Sequence, residues 1–450
     1  VSKKQNRHIQ ERSRLQRLLR WFQPGLGIKR WILFLIFSTT LIGLGLAYAL
    51  LDVYRANPGS TFLTVISLVA LPRWLRALLL ILVGVGGVAL SFFQLNRTLL
   101  APFVRPGKSI LDTVSAHRRL GRGPKIVALG GGTGLSTLLR GLKTYSSNLT
   151  AIVTMADDGG SSGRLRRSLD LPPPGDIRSC LASLSNDEDL LTQLFIYRFR
   201  EGEELNGHSF GNLFIAALAG VTGSFDEGVL EAGRLLGIQG RVMPSTLENV
   251  TLIAEKSSAT FMPRVQVNGE SSIPDAPGQI RRVRLEPDTP NAYPGAIQAI
   301  LNADMVVIGP GSLFTSLLPN VLVPDIAAAL RASRAFRVFI CNLATQRGET
   351  DGFNCYDHYQ AMVEHVGEGL VDLVIANDKM DIELPDGVSV VPMPPDGGIM
   401  VPVYTVDLVD VDRSWRHDPE KLAAALIALL EERTGPLELA DSALHESAGV

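Results

Sequence analysis

Two long apolar runs stand near the start of the chain, and shorter ones alternate with amphipathic stretches after them. Trp31 to Leu51 holds 21 residues without a charge, and Ala77 to Asn96 holds 20, bounded by Arg76 and Arg97. As helices both reach about 30 Å, the thickness of a bilayer's hydrocarbon core. Neither carries the polar face that a core helix shows on one side. The pattern predicts a hairpin of two transmembrane helices over residues 31–97.

Beyond Pro124 the apolar runs shorten. Ile126 to Leu129 predicts a buried strand and Gly130-Gly131-Gly132-Thr133-Gly134 a tight turn. Leu135, Leu138, Leu139 and Leu142 then mark one face of a helix. A second strand, Ala151 to Met155, ends on Asp157-Asp158. Later strands are expected at 302–309, 337–344, 371–377, 388–392 and 403–409. Helical stretches such as Ala296 to Leu301 and His358 to Val366 lie between them. This alternation predicts an α/β fold, Rossmann-like, with a doubly wound, mainly parallel sheet over residues 124–436. Arg241 to Leu285 instead alternates with period two and holds the turn Asn268-Gly269, which predicts a small β-rich insertion. Residues 437–450 read as a disordered acidic tail.

Charge orients the hairpin. Residues 1–30 carry nine Lys and Arg against one acid, Glu11, and residues 98–123, a juxtamembrane linker, are basic again. By the positive-inside rule both ends face the cytoplasm, so the expected location is the inner membrane, multi-pass, with the large domain in the cytoplasm. Ala47-Tyr48-Ala49 imitates a signal-peptide cleavage site, but the apolar run is long for that role. Mean hydropathy, +0.18, owes its sign to these two runs. The 43 basic and 45 acidic side chains nearly cancel, and no nucleic-acid partner is expected. Cys180, Cys341 and Cys355 have no metal-ligand spacing and read as reduced thiols.

The candidate chemistry gathers at turns. A glycine turn between a strand and a helix frees backbone N–H groups for an anion, so Gly131, Gly132, Thr133 and Gly134 are candidate phosphate ligands. Leu135 breaks the dinucleotide pattern G-x-G-x-x-G, and no Walker Lys-Ser/Thr follows. A second such turn, Gly309-Pro310-Gly311-Ser312, suggests a cleft at a reversal of strand order, with Gly309, Gly311 and Ser312 as ligands. Asp157 and Asp158 are candidates for ribose hydroxyls, or for Mg²⁺ beside a diphosphate that Arg164 or Arg166 would meet. Ser161 lies in the loop that follows. Asp176 opens a helix after three prolines. His208 and Asn212, four apart, are expected on one helix face, with Asn212 reading a ring edge. Asn342, Thr345, Gln346 and Glu349 would reach the same rim. No Ser/His/Asp, Cys/His or zinc pattern appears, and no catalytic residue is assigned.

Six stretches together carry a resemblance: VALGGGTGLSTLLRGLK, VTMADDGGSSGRLR, PPPGDIRSCLASLS, GHSFGNLFIAAL, VIGPGSLFTSLLPN and CNLATQRGETDGF. In this order they resemble the gluconeogenesis factor family, the YvcK-like proteins, relatives of the phospholactate transferase CofD. The resemblance covers about residues 124–430. It implies a Rossmann-like, nucleotide-binding fold. In the bacterial factors it implies a UDP-sugar ligand such as UDP-N-acetylglucosamine and a role in carbon metabolism, cell shape and envelope synthesis. Homo-oligomers and envelope-synthesis proteins are expected as partners. The transferase branch implies Mg²⁺ and transfer of a phospholactyl group from a nucleotide-activated donor to a deazaflavin. The chain looks closer to the factor branch, from which its N-terminal hairpin departs.

Overall fold

The computed structural model describes residues 37–47, 72–100, 120–185, 190–257, 265–394 and 399–435, with Val53 and Arg55. The chain divides into two units, Val1–Arg118 and Arg119–Val450. In the first, a helix covers Phe37–Ala47 and another Arg73–Leu100. Most of their described apolar side chains are exposed, Ile42 by 71% and Val83 by 69%. Among the described residues no single helix is long and apolar enough to cross a membrane, so the expected two-span hairpin is not supported here. The ends of its first span, the basic segment 1–30, most of the linker 98–123 and the tail 437–450 lie outside the described residues.

The second unit is built on a seven-stranded sheet. Its strands are β1 (Ile126–Gly130), β2 (Leu149–Val153), β3 (Arg241–Pro244), β7 (Met305–Ile308), β8 (Phe336–Ile340), β9 (Leu373–Asn377) and β10 (Val403–Val406). They run in the order β10-β9-β8-β7-β1-β2-β3, and every pairing is parallel. The inner strands β1 and β7 are buried at every residue, as expected of a sheet covered on both faces. From β1 the chain winds outward through β2 and β3, then crosses back to β7 and winds the other way. Strand order therefore reverses between β1 and β7, and ligands of doubly wound sheets bind at such a reversal.

Helix α1 (Gly132–Leu142) leaves β1 at once, and its four leucines are fully buried. It packs between α3 (Gly175–Leu184), which follows α2 (Gly160–Leu169), and the last helix, Pro419–Thr434. Gly141 allows the close approach to that helix, since a methyl group there would lie 1.9 Å from the Pro419 carbonyl oxygen. The amphipathic pattern of α1 is thus satisfied by two layers at once.

Three strands form a separate antiparallel sheet in the order β5-β4-β6: β4 (Thr251–Ser257), β5 (Val265–Asn268) and β6 (Gln279–Glu286). The predicted insertion is therefore shorter than expected. Arg241–Pro244 is the edge strand of the main sheet, where a terminal proline is tolerated for want of a further neighbour. The strand expected at 388–392 is also absent, leaving one bridge between Ala344 and Val390.

Candidate functional site

Two turns meet where the strand order reverses. The first follows β1 and opens α1; the second follows β7 and opens a π-helical turn, Leu313–Leu317. A methyl group on Gly134 would lie 2.3 Å from the Pro310 carbonyl oxygen, so only glycine allows this contact. Asn320 braces the junction by donating from Nδ2 to Gly130 O at 2.9 Å and to Ser316 O at 2.8 Å. Gly309 takes φ +93°, a conformation open to glycine, and turns the second loop over the sheet end.

Above the turns lies a cavity of ≈ 710 Å³. Gly131, Gly132, Thr133, Gly134, Gly311 and Ser312 line its floor. Gln346 Nε2 donates to Ser312 Oγ at 2.6 Å, and Asn342 Nδ2 to Gln346 Oε1 at 3.3 Å, which ties the loop after β8 to the second turn. Asn342, Thr345 and Gln346 line the cavity too. Glu349 does not. It is buried behind the wall, near Thr315 Oγ1, which donates to its carboxylate oxygens at 3.4 Å.

Three carboxyl groups reach the cavity: Asp157, Asp176 and Glu270. Asp157 Oδ1 accepts the Gly159 N–H at 2.9 Å, and burial raises its pKa. Asp176 lies on the first turn of α3 and accepts the N–H of Gly132; a methyl group on Gly131 would sit 2.5 Å from its Oδ2. One donor of the first glycine turn is therefore already engaged within the chain. Burial, then the charge of Asp157, pushes the Asp176 carboxyl up to about 6. Glu270 stands at the tip of the β5–β6 connection. Burial and the charges of Asp157, Asp176, Glu349 and Asp158 push it up to about 8. Glu270 thus holds a proton at neutral pH and presents a carboxylic acid.

Other residues singled out by pattern point elsewhere. Asp158 does not line the cavity. Its Oδ1 accepts the Ser271 N–H at 2.9 Å and so docks the insertion on the main domain. Of the adjacent pair only Asp157 lines the cavity; among the described residues no group of three or more His, Cys, Asp or Glu is arranged for a metal ion. Ser161, His208 and Asn212 form a buried cluster beneath the loop. Ser161 Oγ lies 2.9 Å from His208 Nδ1 and accepts from Asn212 Nδ2 at 3.0 Å. His208 precedes helix α4 (Phe210–Thr222), capped by Ser209, so the two are not on one helix face as expected. Arg164 and Arg166 donate to Asn206 O and to Asn249 Oδ1, away from the cavity. Gly309 shapes the second turn without lining the cavity.

Residues that no pattern singled out complete the walls. Arg347 and Arg416 supply its cations, and Trp415 offers a flat ring, 45% exposed. Glu270 comes from the insertion; Trp415 and Arg416 come from the segment between β10 and the last helix. Only contacts across the fold bring them here.

Comparison with known proteins gives a consistent answer. The family model for CofD, 2-phospho-L-lactate transferase, matches residues 126–386. The chain is 43% identical over 331 residues to the gluconeogenesis factor of Bacillus subtilis, covering 70% of this chain and all of that protein. A Nostoc sp. protein that bears the same name provisionally is 47% identical over 379 residues, 81% of this chain and 80% of its own. A crystal structure of a Bacillus halodurans protein matches with a TM-score of 0.63 at 42% identity, covering 68% of this chain and 98% of that one.

Proposed function

The chain belongs to the CofD family, and on that premise we propose that it binds a nucleotide-sugar, of the UDP-N-acetylglucosamine kind, as a regulatory factor held at a membrane. The observation that carries the reading is the meeting of the two glycine turns at the β1/β7 reversal, under one cavity. N–H groups at strand ends and a helix start suit a diphosphate. Arg347 and Arg416 add charge for it, and Trp415 adds a face on which a base stacks.

Regulation is favoured over turnover by the use made of Asp158. Its carboxylate docks the insertion, so one carboxylate of the adjacent pair faces the cavity rather than two. Membrane attachment is favoured by the exposed apolar side chains of Phe37–Ala47 and Ala77–Val88. Links to carbon metabolism, cell shape and envelope synthesis are part of the same proposal.

A second reading is a transferase of the phospholactate type. It draws on the protonated carboxyl of Glu270, with Asp176 raised beside it, since an acid held at a cleft near neutral pH can pass a proton to a leaving group. Incubation of the full chain with a nucleotide-activated phospholactyl donor and a deazaflavin acceptor, with and without Mg²⁺, separates the two. Recovery of the intact donor supports the regulator; release of a nucleotide product with Mg²⁺ overturns it. Alkaline extraction of membranes tests attachment: a full-length chain that washes off contradicts the anchor.

A further inference from the structure

Arg347 lines the cavity above the turns and also a second one, of ≈ 890 Å³. The second is walled by the β5–β6 connection around Asp275, by Arg281 on β6, and by Gly348 and Asp351 after β8.

The seam between the cavities is built, not incidental. Lys256, fully buried on β4, donates from Nζ to three carbonyl oxygens: Ile273 at 2.7 Å, Ala276 at 2.5 Å and Gly348 at 2.9 Å. One ammonium thereby clamps the insertion to the loop that carries Arg347. Gly348 takes φ +78°, and a methyl group on it would fall 2.0 Å from the Pro274 carbonyl oxygen. Asp351 Oδ2 accepts the Gly348 N–H at 2.7 Å and fixes the loop from the other side. A buried ammonium with three acceptors is a costly element to lose, because its removal strands those carbonyls.

The two cavities differ in chemistry. Trp415, Leu343 and Val388 give the first broad apolar faces. The second offers Asp275, Gln279 and Arg281 with glycine backbone, and no aromatic ring. Arg281 and Arg347 have no ion pair among the described residues. Mixed donors and acceptors without a flat face suit a polyhydroxylated group and not a base.

We propose that the second cavity is the subsite for the sugar half of the ligand, with the nucleoside in the first cavity and Arg347 at the seam against the diphosphate. This rests on the nucleotide-sugar reading and names the part of the fold that distinguishes a nucleotide-sugar from the bare nucleotide. Asp275 and Arg281 bind sugar hydroxyls; Lys256 is a positioning residue that holds the seam.

Calorimetry on the full chain in detergent, with UDP and UDP-N-acetylglucosamine in parallel, tests it. Asp275→Ala and Arg281→Ala change exposed side chains and leave the fold intact. In at least one of them UDP-N-acetylglucosamine binding weakens by about 3- to 10-fold, the loss of one hydrogen bond, while UDP stays within about 2-fold. Arg347→Ala weakens both ligands. Equal effects of Asp275→Ala and Arg281→Ala on the two ligands, or none on either, overturn the subsite. A wild-type chain that binds UDP as tightly as the sugar nucleotide also overturns it while sparing the nucleotide reading. Binding of neither ligand overturns both.

Discussion

The backbone of Gly134 lies against the carbonyl of Pro310, so close that a methyl group on Gly134 would sit 2.3 Å from that oxygen. This contact joins the turn after β1 to the turn after β7. Gly134→Ala therefore forces the two halves of the cleft floor apart. The expected stability cost is about 1–3 kcal/mol, as for other overpacked sites, with a loss of ligand affinity above about tenfold. Gly220→Ala is the control, since a methyl group there meets nothing within 4 Å inside α4. It should be neutral or stabilising by up to about 1 kcal/mol. Thermal unfolding of the two variants checks the pair; equal effects would contradict the junction.

Asp158 holds the insertion rather than the ligand. Loss of its bond to the Ser271 N–H frees the tip that carries Glu270. Asp158→Ala should cost about 1–3 kcal/mol, the usual range for a charge-assisted hydrogen bond, and should raise protease cleavage within residues 265–286. Unchanged cleavage would show that the insertion is held by other contacts.

Glu270 sets a pH edge. Its folded pKa, about 8, lies above its ordinary value of 4.5. The stability linked to its proton is fully present below about 4.5 and is lost as pH rises through about 8. The melting temperature of the wild type should fall between pH 5 and 9 relative to Glu270→Gln, which cannot ionise. Anion affinity should fall over the same rise, because ionisation adds a negative charge beside Asp157 and Asp176. A pH profile shared by wild type and variant would remove Glu270 from this role.

His417, by contrast, guards the acid side. Burial lowers its pKa to about 4, below the ordinary 6.5, so its contribution is present above 6.5 and is lost as pH falls through about 4. His417→Gln should flatten the acid limb of the unfolding curve and leave the alkaline limb alone.

Trp415 is a built-in reporter. The other three tryptophans, Trp21, Trp31 and Trp74, belong to the N-terminal unit. A ligand base stacked on Trp415 should quench its emission with saturation, and Trp415→Phe should abolish the change. Quenching that survives in the variant would place the base elsewhere.

Much of this fold was legible along the chain, because strand, glycine turn and helix each leave a local pattern. Ile126 to Leu142 shows all three in one window, and Gly309 to Leu317 repeats the last two. The edge strand Arg241–Pro244 is hidden in the sequence because it abuts the period-two pattern that follows. Asp157 and Asp158 are a pair in sequence, yet adjacent side chains leave the backbone in different directions, and only one reaches the cavity. The remaining walls leave no local signal. Asp158 meets Ser271 across 113 residues of sequence, and Lys256 meets Gly348 across 92. Glu270 and Trp415 reach the cavity by contacts across the fold, which spacing along the chain does not encode.

The most direct test of the central claim is calorimetric titration of the full chain with UDP-N-acetylglucosamine, GDP and NAD, each with and without Mg²⁺. Micromolar binding of the UDP-sugar, independent of Mg²⁺ and lost in Gly134→Ala, is the predicted result. A preference for GDP that requires Mg²⁺, or for NAD, would contradict it.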